Sequence, residues 1–289
     1  GEMSVLPGAL SWTADPALGW VVAASWLYWL GGRHLPRSSR PGSRWRTGSF
    51  VAGLATIIVA LDSPIDGLAD KLLWVHMVQH VLLLMVAPSL LALARPWNRM
   101  WHGFPLETRR RVAGSLATRR FFAPLRGAAR VLADPLPSWL AFNVNLIAWH
   151  LPFAYDATLR SPPIHAAEHA MFFATGLLFW TRVIDSPPWR SRLTQTVRAG
   201  YVGGAMVVSW ILAIVLALST SPLYSPYAEL ASRPGGITAL SDQQLAAGVM
   251  WVPGSVPFTI AFVVIVYRWL EPKRSRPTPP RAGSLAGNP

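Results

Sequence analysis

The chain has 289 residues, of which 52% are hydrophobic and only 13% charged, and its 26 Lys and Arg against 13 Asp and Glu give a formal net charge of +13. A soluble domain carries roughly twice that charged fraction, so these proportions argue against an ordinary globular enzyme. Cysteine is absent, which excludes disulfides, thiolate metal sites, cysteine nucleophiles and iron–sulfur clusters; any metal must be held by nitrogen, oxygen or thioether.

Seven apolar blocks follow in chain order: Pro16 to Gly32, Trp45 to Leu61, Leu72 to Ala94, Leu136 to Tyr155, His165 to Ile184, Ala199 to Thr220, and Gln243 to Leu270. They are too long and unbroken for amphipathic core helices, and none alternates in polarity as a barrel strand would. The first two are short, since 17 residues reach only about 26 Å at the helical rise. They are expected to stand upright, with Trp12, Trp20, Trp29 and Trp45 near the interfaces. The pattern predicts an all-α polytopic membrane bundle of seven transmembrane helices, one domain over residues 1–270.

Charge sets the expected orientation, because Lys and Arg collect on the cytoplasmic side of short loops. Arg33 to Arg46 holds five basic residues, Arg95 to Asp134 nine, Arg182 to Arg198 four and Arg268 to the end five, which is 23 of 26, all in alternate connections. The opposite side keeps Lys71, Arg160 and Arg233 beside Asp62, Asp66, Asp70, Asp156, Glu229 and Asp242. An outside N-terminus and a cytoplasmic C-terminus follow. Arginines confined to one side are topology determinants and contacts for anionic lipid, and no nucleic-acid partner is expected. Residues 105–132 are predicted to form one or two short amphipathic helices along the inner headgroups, dipping Leu106, Phe121, Phe122 and Leu125 while Arg109, Arg110, Arg111 and Arg119 stay wet. The first block has no basic leader before it and reads as an uncleaved span. Residues 271–289, rich in Pro and Gly, are expected to be a disordered cytoplasmic tail. Gly200 and Gly204 form a small-residue motif that packs helices within one chain or between chains, which leaves oligomeric state open.

Five of the seven histidines fall at one predicted membrane level, near the outer ends of three blocks: His76 and His80, His150, and His165 and His169. Each doublet has the four-residue spacing that puts both rings on one helix face. By helical rise His76 lies about 7 Å and His80 about 13 Å below Lys71. His150 near the end of the fourth block and His165–His169 at the start of the fifth match that depth. Imidazole is the commonest metal ligand among side chains and is expensive in lipid without a partner, so convergence predicts a metal site. Asp242, at the outer mouth of the seventh block, is a candidate oxygen ligand. Glu168, Gln79, Asn143, Met77 and Met250 are candidates to surround and orient the ligands. Imidazole with thioether suits Cu(I), and imidazole with carboxylate suits Cu(II) or Zn(II).

Three other readings compete. His165-Ala-Ala-Glu168-His169 fits the H-x-x-E-H pattern of a zinc-dependent hydrolase with Glu168 as base. His80 and His169 on facing helices can ligate a haem, although this leaves three histidines unexplained. A metal transporter would need polar residues continuing inward, yet Val81 to Ala87 and Val207 to Leu218 are almost wholly apolar.

Leu73-Trp-Val-His76-Met77-Val-Gln79-His80 with Ala87-Pro88-Ser-Leu90-Leu91 and Arg95-Pro96 resembles the signature helix of the CtaG-type cytochrome c oxidase assembly family of bacteria. Trp149-His150-Leu-Pro152 with Tyr155-Asp156, His165-Ala-Ala-Glu168-His169 with Phe179-Trp180, and Asp242-Gln243-Gln-Leu245-Ala-Ala-Gly248-Val-Met250-Trp251 resemble its remaining segments. Ser89 stands where the family pattern has a second proline. The resemblance implies a seven-span protein of the bacterial inner membrane that is not an enzyme and that helps build the copper centre of a haem–copper oxidase. It implies copper, ahead of zinc or haem, as the metal, with His76, His80, His150, His165 and His169 as ligands and Asp242 as a candidate oxygen ligand. The implied partners are oxidase subunit I or other assembly factors. An unrelated single-span copper chaperone that shares the name uses cysteines, which this chain lacks.

Overall fold

The computed structural model describes residues 12, 15–35, 44–187 and 193–271, and all regular structure among them is helical. The expected tail lies, apart from Glu271, outside the described residues. The first two blocks are α1 (Ala17–His34) and α2 (Arg44–Leu61). A short α3 (Pro64–Ala69), capped by the Ser63 hydroxyl, leads into the third block. That block is one continuous rod in three parts: α4 (Leu73–Val81), a π-helical turn over Leu82–Val86, and α5 (Ala87–Ala94).

The π turn has a local cause. Pro88 carries no N–H, so the Leu84 carbonyl loses its ordinary helical partner. Trp180 donates its indole Nε1–H to that carbonyl at 3.2 Å, and Gly176 packs against the same peptide so closely that a Cβ would overlap the Leu84 oxygen. The rod is thereby locked to the fifth block. It is the buried axis of the molecule, with α4 against α14, and the π turn and α5 against α2 and α11.

After a short α6 (Trp97–Trp101), the stretch from Pro105 to Leu132 forms two helices, α7 (Leu106–Thr118) and α8 (Ala123–Ala133), joined through a 3-10 turn at Arg120–Phe122. Leu106, Phe121 and Leu125 are exposed. The fourth block is not continuous as expected: α9 (Pro135–Trp149) stops at His150, Leu151 is extended, and Pro152 opens a separate α10 (Pro152–Arg160). The residue before a proline is driven out of the helical region, which places the break there and puts Tyr155 on another element. Then follow α11 (Pro162–Val183), α12 (Gln195–Leu218), α13 (Ser225–Ala228) and α14 (Ala239–Leu270). Gly204 of α12 faces Trp139 of α9, whose indole donates to the Tyr201 carbonyl at 2.9 Å. That half of the small-residue motif packs helices within the chain.

Among the described residues, three helices are long and apolar enough to cross a membrane: Leu73–Ala94, Gln195–Leu218 and Ala239–Leu270. By contrast α9 has 15 residues, which span about 22 Å.

Candidate metal centre

The start of α4, the end of α9, and the starts of α11 and α14 all lie at one end of the bundle, and this juxtaposition builds the site. His76 and His80 are one turn apart on α4, and their rings lie 4.4 Å apart. His165, Glu168 and His169 share a face of α11 at i, i+3 and i+4. The two faces meet. One ligand atom from each of His76, His80, Glu168 and His169 lies within 4.8 Å of all the others.

Hydrogen bonding makes this group unusual. His76 Nε2, both nitrogens of His80, His169 Nε2 and both Glu168 oxygens are buried without a hydrogen-bond partner. The Glu168 oxygens lie 3.7 Å from His76 Nε2 and 3.6 Å from His80 Nε2, too far for hydrogen bonds. Buried polar groups in native proteins are almost always paired, and a buried carboxylate without a partner costs several kcal/mol. A cation at the centre would give a partner to one such atom from each of the four side chains. A tetrahedral ion with bonds of about 2.0–2.1 Å holds its ligand atoms about 3.4 Å apart, so modest contraction of the group suffices. Three imidazoles and a carboxylate are a donor set for Cu(II) or Zn(II).

The surroundings fix the His76 tautomer. Tyr227 donates its single hydroxyl hydrogen to the Ala69 carbonyl, and burial pushes the phenol well above the ordinary tyrosine range, so it stays neutral. Its oxygen, 3.1 Å from His76 Nδ1, is therefore left as acceptor, and Nδ1 is the imidazole donor. The His76 lone pair then lies on Nε2, the atom facing Glu168. Tyr155, fully buried on α10, closes this side with its ring 5.2 Å from that of His76.

The remaining predicted residues divide by position. His165 sits at the rim, half-buried, with its ring 4.9 Å from His76 and 4.2 Å from His169. His150 does not join the four; its ring lies 5.9 Å from that of His80, and its Nε2 faces the Met77 sulfur. Asp242 is also not brought into the group. Its two oxygens accept from the backbone N–H groups of Leu73 and Trp74 at 2.9 and 3.0 Å, so it caps the α4 N-terminus from another helix. Gln79 donates to the Ala60 carbonyl and to Asp66, and Asn143 to the Trp139 carbonyl, so neither orients an imidazole. Met77 and Met250 line a small cavity together with His80 and His150. Glu168, expected among the surrounding residues, is instead central; its i+3 spacing from His165 was the available signal. Tyr227 lies outside every apolar block, and nothing in the local sequence marked it. On the opposite flank His169 borders an apolar cavity of about 480 Å³ between α1, α2, α5 and α11.

Residues 26–272 match the model of the cytochrome c oxidase caa3 assembly factor family. The chain belongs to this family. The matched region takes in α4, α9, α11 and α14, so every residue of the histidine–glutamate group lies inside the caa3 assembly factor match. Among curated proteins, the chain is similar to an uncharacterised protein of Mycobacterium bovis, 23% identical over 81% of this chain and 36% of that protein. An uncharacterised protein of Mycobacterium leprae is 21% identical over 89% of this chain and 39% of that protein. The chain thus spans little more than a third of the length of the relatives it matches. No solved structure matches.

Proposed function

We propose that this chain is a seven-span protein of a bacterial plasma membrane that captures copper at the histidine–glutamate group and passes it to the catalytic subunit of cytochrome c oxidase, or to another assembly factor, as that centre is built. The observation that carries this reading is the set of buried nitrogen and carboxylate atoms from α4 and α11 that converge without partners of their own. Family membership supports the oxidase as client. The alternating placement of Lys and Arg supports an outside N-terminus and a cytoplasmic C-terminus, which puts the histidine end toward the outer face. Exposed Leu106, Phe121 and Leu125 beside the arginines of α7 and α8 suit a helix pair lying along the inner headgroups.

In this mechanism His165 at the rim offers the first contact, and His76, His80, His169 and Glu168 hold the ion in a dry pocket. Glu168 neutralises one unit of the ion's charge, and Tyr227 keeps His76 Nε2 aimed inward. Transfer is ligand exchange, with no turnover chemistry and no enzymatic role. A haem would take two axial nitrogens and leave the other donors of the group unpartnered. The peptidase pattern is disfavoured because Glu168 faces His76 and His80 as a member of the donor set. Apolar residues from Val81 to Ala87 below the group favour holding over conduction.

The test is copper analysis of the purified, detergent-solubilised protein alongside a His76→Ala, His80→Ala variant, with oxidase copper content measured in cells carrying each. Copper is expected in the wild type and lost in the variant, together with the oxidase centre. Equal copper affinity in the two proteins overturns the assignment.

A further inference from the structure

Beside His80 lies a small pocket of about 30 Å³, lined by His80, His150 and three of the chain's seven methionines, Met77, Met85 and Met250. That volume is the share of one water molecule or one ion. Ser209 is the remaining polar residue of the lining, and the rest is hydrocarbon and aromatic.

His150 supplies the decisive detail. Its Nδ1 lies 2.7 Å from the Leu146 carbonyl oxygen, which can only accept, so Nδ1 carries the hydrogen. In the neutral ring Nε2 is then a bare lone pair, and its neighbour at 3.4 Å is the Met77 sulfur, which has no hydrogen either. Two acceptors face each other in a buried place. Protonating the ring would resolve the clash only by burying an unpaired charge. A nitrogen and a sulfur bound to one tetrahedral ion are separated by about 3.5 Å at usual bond lengths, which matches the observed spacing.

We infer that His150, Met77 and Met250 form a second metal site, distinct from the histidine–glutamate group and selective for a soft monovalent d¹⁰ cation of the Cu(I) class. Thioether and imidazole without carboxylate favour such an ion over Zn(II), whereas the neighbouring group, with Glu168, has the reverse preference. His80 borders both sites: it lines this pocket, its ring 5.9 Å from that of His150, and it belongs to the histidine–glutamate group. This inference does not depend on copper delivery by the histidine–glutamate group, because it concerns different donors and a different class of ion.

Ag(I), a redox-inert ion of this class, is the probe, with Zn(II) as the contrasting ion, both added to the full chain in detergent. X-ray absorption at the silver edge is expected to show sulfur in the coordination shell of the wild type. Met77→Leu and Met250→Leu, which keep volume and apolarity, should each weaken Ag(I) binding about tenfold or more and remove the sulfur signal, leaving Zn(II) binding unchanged. Glu168→Gln should weaken Zn(II) binding and spare Ag(I). A silver shell without sulfur in the wild type overturns the inference without recourse to any variant, as does Ag(I) affinity indifferent to both leucine substitutions. Zn(II) binding indifferent to Glu168→Gln would instead refute the histidine–glutamate reading and leave this one standing.

Discussion

The two ends of the bundle both bury polar side chains, and they treat them in opposite ways. At the arginine end several cations and rings meet backbone carbonyls. Arg182, almost wholly buried, donates to the Leu132 oxygen at 3.0 Å, and Ser138 fills that oxygen's other lone pair at 2.6 Å. Arg99 donates to the Tyr28 carbonyl at 2.8 Å and lies over the Tyr28 ring. The two histidines at this end, both in exposed hydrogen bonds, behave alike: His34 Nδ1 meets the His102 carbonyl and His102 Nδ1 the Asn98 carbonyl. At the histidine end, by contrast, the imidazole nitrogens and the Glu168 oxygens face one another. Paired polar groups hold the fold together. Unpaired ones that converge are the ground of the proposed metal site.

The sharpest way to break the contrast is to remove ligands. His76→Ala with His80→Ala should lower copper affinity by about 100-fold or more, beyond the loss usual for orienting residues alone, as read by competition with a chelator of known affinity. Acidification should act in the same direction. Only neutral imidazole binds metal, so affinity should fall as pH drops toward the ordinary histidine value of about 6.5, and more than one power of proton concentration should enter. A flat copper titration between neutral and mildly acidic pH would remove the imidazoles from the site.

Glu168→Gln separates function from stability. Copper affinity should fall by about 10- to 100-fold. The metal-free protein, relieved of a buried carboxylate, should melt at the same or a higher temperature. A lower melting temperature would mean that the carboxylate is structural after all. Arg182→Ala is expected to show the reverse pattern, costing about 2–3 kcal/mol of stability by denaturant titration while copper affinity stays at the wild-type value. The smallest expected effect belongs to Asp242→Ala. Uncapping α4 should cost about 1–2 kcal/mol, with binding retained. A copper loss as large as that of Glu168→Gln would instead make Asp242 a ligand.

Much of the architecture was legible because it follows from local periodicity. The apolar blocks became helices close to their expected limits, and the four-residue spacing of both histidine doublets put their rings on shared faces. The fourth block misled because its composition runs on through Tyr155, while Pro152 acts on the backbone of Leu151 and breaks the helix. Asp242 misled for another reason. A carboxylate at a helix start suits a metal or an N-terminus equally well, and which one it meets depends on a residue 169 positions away. Glu168, His150 and Tyr227 had the same ambiguity, since each has several chemically acceptable partners.

Hydropathy, charge placement and helical spacing therefore determined the helices, the predicted level of the five histidines and the family pattern. Only the packed chain decided that Glu168 faces His76 and His80, that Asp242 caps α4, and that His150 turns toward Met77. Helix formation is read from neighbours a few residues apart, whereas the partner of a polar atom is whichever group the packing of distant helices brings within about 3 Å.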